Sequence, residues 1–164
     1  MDPVQIRPTT NDDDDDAIWA LFQEVVQAGD AFAFDEDTTR EDALALWRDR
    51  QSAAYVAVLD GAIVGSYYVK PNQPGRGAHV CNAGYMVAAA ARGQGVGRAL
   101  GEHSLVEARR LGYRAMQYNF VVATNTSALD LWRALGFQVV GRVPHAFRHS
   151  RLGLVDALVL HRLL

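Results

Sequence analysis

Arg92-Gly93-Gln94-Gly95-Val96-Gly97-Arg98 follows an extended run and opens an amphipathic helix that the apolar spacing predicts over 96–111, with Gly112 behind it. A helix start leaves backbone N–H groups unpaired, and glycines ahead of it let an anion approach without a Cβ in the way. Arg92 and Arg98 flank the turn as forked cationic donors, so the segment reads as a cradle for a diphosphate. The plain alternative is a glycine-rich structural turn.

The kind of phosphate is narrowed by what the spacing lacks. A Walker loop needs Gly-Lys followed by Ser or Thr, but the single lysine, Lys70, lies far from the cluster. A dinucleotide fingerprint needs a glycine where Arg98 stands, and the next strand end offers Asn119 in place of an acid. Nicotinamide chemistry is thereby disfavoured.

Outward from the loop, strands and helices interleave. A first strand is predicted over 4–7. Thr10 and Asn11 can cap a helix whose first turn carries Asp12 to Asp16, read as a solvated acidic face, and whose apolar side is Ile18, Leu21, Phe22 and Val25 up to a stop at Gly29. A second helix is predicted over 39–50. Residues 54–59 and 62–69 flank Asp60-Gly61 as a hairpin. Residues 71–77 read as a loop and 78–87 as extended, with Gly84 marking a bulge or a close approach to the backbone. Strand 115–122, helix 125–135, strand 137–143, an irregular stretch over 144–153 and a last strand over 154–162 follow. This order predicts a mixed-sheet α/β or α+β layer, in one domain over 1–164.

Arg92, Gly95 and Gly97, read as Arg-x-x-Gly-x-Gly between strand and helix, resemble the acetyl-coenzyme A loop of the GCN5-related N-acetyltransferases. Asn125-Thr-Ser-Ala128, then Trp132 and Leu135-Gly-Phe137, resembles the same family's Asn-x-x-Ala helix. Asn82-Ala-Gly-Tyr-Met-Val87 and Tyr118-Asn-Phe-Val121 are further similar to the fungal proline-analogue N-acetyltransferases and their bacterial relatives. The resemblance implies a central mixed sheet of about six or seven strands with helices on both faces, and parallel strands 78–87 and 115–122 that splay apart. It implies acetyl-CoA between them, with no metal: Met86 and Val87 along the pantetheine arm, the amides of Gly93, Gln94, Gly95, Val96, Gly97 and Arg98 with Arg92 at the diphosphate, and Asn125 and Trp132 against the cofactor. Asn125 also reads simply as a helix N-cap.

Acetyl transfer to an amine needs a neutral nitrogen, a donor for the developing oxyanion and a fate for the thiolate. A backbone N–H near Met86 or Val87 is the expected oxyanion donor. Trp132 stands where the family often carries an acidic tyrosine, so packing is its expected role, with Tyr85 or Tyr118 as substitutes. Glu36, with Asp35 and Asp37, is the candidate base, set against the reading of solvated loop acids. Asn82 is expected to orient the substrate nitrogen or a water, with Asn119 as its companion, or else to tie the strands together. Phe34 and Asp35 are expected at the substrate. His79 and Cys81 on one strand face lack a third metal ligand, Cys81 reads as a buried hydrophobe, and His103 as a satisfied core histidine. His145, Phe147, Arg148 and His149 read as a loop that can gate a carboxylate.

Of the 164 residues 49% are hydrophobic and 21% charged, and the net charge is −3. That is globular composition without the basic footprint of a nucleic-acid or membrane binder. One cysteine, and a Met-Asp-Pro start followed by acids, give the expectation of a soluble cytoplasmic protein. A homodimer stays open. The leading reading is an acetyl-CoA-dependent N-acetyltransferase for a small amine, an amino acid or proline-like imino acid. Its rivals are acetylation of proteins or peptides and a catalytically silent acyl-CoA sensor.

Overall fold

In the computed structural model, which describes residues 3–10 and 12–164, strands β1 (Gln5–Pro8), β2 (Ala53–Leu59), β3 (Ala62–Pro71), β4 (Val80–Val87), β5 (Ala115–Val122), β6 (Gln138–His149) and β7 (Gly153–Leu163) form one sheet in the order β1-β2-β3-β4-β5-β7-β6. Every neighbouring pair is antiparallel except β4 and β5, which run parallel. Helices α1 (Asp15–Ala28) and α2 (Arg40–Trp47) cover one face, α3 (Val96–Arg110) and α4 (Thr126–Ala134) the other. The alternation of β2 divides the core accordingly: Tyr55, Ala57 and Leu59 join the α3/α4 side and Val56 the α1/α2 side.

α1 buries Ile18, Leu21, Phe22, Val25 and Val26 and stops at Gly29, whose φ of 64° needs no Cβ. Its start differs from the reading of a solvated acidic face. Asp14 is 2% exposed, accepts both forks of Arg7 at 2.7 and 2.9 Å and the Thr10 N–H at 2.8 Å, and so fastens β1 to α1. Asp15 pairs with Arg48 and Asp16 with Arg40. Asn11, the expected cap partner of Thr10, lies outside the described residues.

Three further expectations change. α2 ends at Trp47, three residues short of the predicted 50. Residues 144–149 continue β6, and the hairpin partner β7 begins at Gly153. Within 144–149 the irregularity is a register shift between Val143 and Phe147, where His145 has φ 50°; a second shift lies between Val139 and Gly141, and residues 150–152 form the turn. Pro144 is tolerated because β6 is an edge strand. Gly84 lies in unbroken register opposite Tyr68, so β4 has no bulge there. The second reading of Gly84 holds: a Cβ would lie 2.6 Å from Tyr68 Cε1. The bulge belongs to β5, whose pairing with β7 skips between Tyr118 and Val121.

Among the described residues no helix is long and apolar enough to cross a membrane.

Candidate active site

β4 and β5 pair only at Val80 with Ala115 and Cys81 with Met116; beyond that point they diverge. The register fixes which backbone groups face the gap. Asn72 N–H donates to Val80 O and Ala88 N–H to Val64 O, both at 2.8 Å, at the two ends of the unbroken β3–β4 ladder. Successive residues point their N–H and C=O to opposite edges of a strand. Even-numbered residues therefore pair with β3, and Ala83, Tyr85 and Val87 turn theirs toward the gap. This narrows the expected role of Met86: its N–H and C=O belong to the β3 ladder and its side chain is buried against α1 and α2, although the residue still borders the groove that opens here. Val87 and Tyr85 hold the groups available to a strand-like ligand or an oxyanion.

A groove of about 620 Å³ opens from this gap across the start of α3, bordered by Tyr85, Val87, Arg92, Gly93, Gly95 to Arg98 and Asn125. Gly93 and Gly95 have φ of 76° and 81°, and a Cβ on either would meet no atom within 4 Å. The first α3 bond is Ala99 N–H to Gly95 O, and the N–H groups of residues 93–98 have no backbone acceptor among the described residues. Unpaired amides at a positive helix end beside Arg92 and Arg98 suit a diphosphate. Gln94 does not border the groove; its side chain donates to Ala90 O and braces the turn. Asn125 Oδ1 accepts from Ala128 N–H, the N-cap reading, while the residue also borders the groove, so one asparagine fills both places. Missed in the sequence were Arg151 and Leu152, which with His149, expected only as part of a gating loop, close the groove's far side. The β6–β7 turn reaches it because Ser150 N–H and Oγ donate to Gly29 O and Ala28 O at the end of α1. The gating loop expected over 145–149 is thus strand, and its end serves the groove.

A second cavity, of about 300 Å³, meets the groove at Ala31, Tyr85, Asn125, Ala128 and Trp132. Phe32, Phe34, Trp47, Tyr68 and Phe120 supply its aromatic surface, and Asn82, Asn119 and Asn125 its amides; among the described residues no charged side chain lines it. Asp35 and Glu36, the expected substrate and base residues, are exposed on a turn and border neither cavity. Asn82 and Asn119 do not bond to one another. Asn82 Nδ2 donates to Gln117 O at 3.0 Å, bridging β4 to β5 just where their ladder stops, and its Oδ1 has no partner among the described residues. Asn119 Nδ2 donates to Asn72 Oδ1 at 2.7 Å. Trp47 and Tyr68, edge to face at 4.8 Å, form one wall of this cavity, and Tyr68 closes directly on Gly84.

Trp132 separates groove from cavity, packed at 4.7 Å on both Tyr85 and Tyr118. Ser104 Oγ donates to Gly101 O at 2.7 Å, so its oxygen accepts from Tyr85, and Tyr85 in turn accepts from Tyr118 at 2.8 Å. The hydroxyl chain thus spends its protons inward, and burial pushes both phenols above their ordinary value. Cys81 is fully buried and its thiol is pushed up to about 12 by desolvation, as suits a small hydrophobe and not a nucleophile. His103 Nδ1 bonds Tyr67 Oη at 2.7 Å, the satisfied core histidine. His79 is exposed in the turn before β4, off the strand face expected for it.

Comparison with known proteins gives the same geometry a lineage. The profile of the Acetyltransferase (GNAT) family matches residues 16–137. A GCN5-related N-acetyltransferase from Kribbella flavida is 49% identical, with a TM-score of 0.93 over 98% of each chain. The N-acetyltransferase aca1 of Schizosaccharomyces pombe is 38% identical over 99 residues, 60% of this chain and 47% of the fungal one, so this chain spans about half the length of that curated relative. A phosphinothricin acetyltransferase of Sinorhizobium meliloti, solved in complex with acetyl-CoA, has the same fold at TM-score 0.87 and 21% identity, over 98% of this chain and 88% of its own.

Proposed function

The chain belongs to the GNAT family of acetyltransferases, and we propose that it transfers an acetyl group from acetyl-CoA to the nitrogen of a small amine, an amino acid or proline-like imino acid. The observation that carries this reading is the cavity of about 300 Å³, aromatic and lined by no charged side chain among the described residues, that meets the groove at Trp132. Its volume suits a small acceptor.

Bound acetyl-CoA supplies an activated acyl carbon with a thiolate leaving group. The amides of residues 93–98, with Arg92 and Arg98, hold the diphosphate, and the gap-facing groups of Tyr85 and Val87 hold the arm. A gap-facing N–H of β4 donates to the oxygen that gains charge as nitrogen attacks the carbonyl. An apolar cavity disfavours ammonium, so entry itself favours the neutral amine, and the proton passes to water without a carboxylate in contact. Asn82 Oδ1, unpartnered at the cavity wall, accepts an N–H of the acceptor and aims its lone pair. Trp132 packs the reacting end, and the thiolate leaves with a pKa of roughly 8 to 9 by analogy with cysteine. A reducing, cytoplasmic setting, in keeping with the free thiol of Cys81, is part of the same proposal.

The test is thiol release by the purified protein from acetyl-CoA with amino acids, imino acids, polyamines and peptides. Turnover concentrated in amino and imino acids is expected. Turnover confined to peptides, or protection against melting with no thiol released by any amine, overturns the reading.

A further inference from the structure

Beside the acceptor cavity stands a cation that the transfer chemistry leaves without a task. Lys70, the single lysine of the chain, lies on β3 directly opposite Asn82 and two residues after Tyr68, and both of those residues line the cavity. Residues two apart on a strand share a face, and directly paired residues bring their Cβ atoms within roughly 5 Å. The ammonium lies 5.6 Å from the centroid of the Tyr68 ring. Among the described residues no carboxylate pairs with Lys70, whereas Arg7, Arg40, Arg98, Arg110 and Arg142 each have one. No charged side chain among the described residues lines the cavity, so the cation that the β3–β4 pairing sets beside it, on a flexible four-carbon stem next to Tyr68, is placed to meet an acceptor's charge.

An acceptor with a second positive group is repelled there, and one with a carboxylate has its charge met. We propose that Lys70 is the specificity residue of the acceptor site, binding the carboxylate of an amino or imino acid while the amine is held at Asn82 and faces the groove past Trp132. This rests on the acetyltransferase reading above. Lys70 acts on binding alone: it is not placed to move the amine's proton, and neither the groove nor the amides of residues 93–98 depend on it.

The experiment compares glycine, alanine, proline and phenylalanine with their carboxamides in the thiol-release assay. The wild type is expected to favour the acids by on the order of tenfold in kcat/KM, about 1.4 kcal/mol. Lys70→Met brings that ratio to about one through KM for the acids, while KM for acetyl-CoA and turnover of the amides stay unchanged. Lys70→Arg keeps the preference. A preference that survives in Lys70→Met, or a wild type indifferent to the carboxylate, overturns the inference but not the acetyl transfer. If nothing is turned over, it is the transfer reading that fails. Calorimetric binding of N-acetylproline then decides the Lys70 contact: roughly tenfold weaker binding in Lys70→Met supports it, and equal or undetectable binding to both proteins overturns it.

Discussion

Replacing Gly84 by alanine asks the acceptor cavity to give up its shape while leaving the groove alone. The backbone at Gly84 is ordinary strand, paired in register with Tyr68, so alanine meets no torsional obstacle. Its methyl would lie 2.6 Å from Tyr68 Cε1 and 2.9 Å from Cζ and Oη. Carbon atoms rest about 3.5 to 4.0 Å apart, so the ring must retreat by about 1 Å. It retreats toward Trp47, already edge to face with it at 4.8 Å and 1% exposed. Overpacking of this kind costs about 1 to 3 kcal/mol, which at this chain length lowers Tm by about 2 to 12 °C. A displacement of about 1 Å beside the reacting amine can lower acceptor kcat/KM by up to about a hundredfold, with acetyl-CoA affinity unchanged. Melting curves, thiol-release kinetics and acetyl-CoA titration read the three quantities. Adding Tyr68→Leu to Gly84→Ala should restore Tm but not acceptor preference. A Gly84→Ala protein with wild-type Tm and wild-type acceptor kinetics would refute both the close contact and the placement of the acceptor.

The remaining expectations concern the anchor of α1, the strand bridge and the glycine loop. Hydrogen bonding from the Arg7 guanidinium, helped by Thr10, holds the Asp14 carboxyl down to about 2 against an ordinary 3.8. A depressed acid stabilises the fold above its unfolded value, so about 2 kcal/mol is present at neutral pH and is lost as pH falls from about 4 toward 2. Asp14→Asn should lower Tm at pH 7 and flatten the acid limb of a Tm-against-pH series; an unchanged limb contradicts the assignment. Asn82→Ala should reduce turnover by on the order of tenfold or more while leaving the acetyl-CoA Kd unaltered. Equal losses in both would make Asn82 only a tie between β4 and Gln117. Gly95→Ala, whose Cβ would meet no protein atom within 4 Å but stands at the groove on a φ of 81° that strains any L residue, should weaken acetyl-CoA by on the order of tenfold or more in a protein that still melts cooperatively; a Kd like that of the wild type would count against the groove.

The elements legible in the sequence are those coded by neighbours along the chain. Asp60-Gly61 turns the β2–β3 hairpin with φ of 50° and 79°, Gly29 stops α1, and Asn125 caps α4. The glycine loop belongs to the same class, because its conformation is set by its own φ angles. What stayed hidden depends on partners that only the fold brings together. The burial of Asp14 follows from Arg7, seven residues earlier on β1. The cavity wall at Tyr68 follows from Gly84 across a ladder, and the choice of Val87 with Tyr85, in place of Met86, as the gap-facing groups follows from hydrogen bonds at both ends of β3 and β4. A polar run such as 35–37 carries no local mark that separates a base from solvated acids; the chain route, which turns Asp35 and Glu36 away from both cavities, makes that distinction. Pro144 and His145 looked like the end of a strand because the edge position that tolerates them is a property of the sheet.

The amides that begin α3 are the diphosphate site on which the proposed transfer depends, and a crystal structure of the protein with acetyl-CoA tests that site most directly. It should show diphosphate oxygens about 2.7 to 3.2 Å from backbone nitrogens of residues 93–98, with the thioester beside Trp132 at the junction of groove and cavity. A diphosphate bound elsewhere, with those amides turned to solvent or covered by neighbouring side chains, would contradict it.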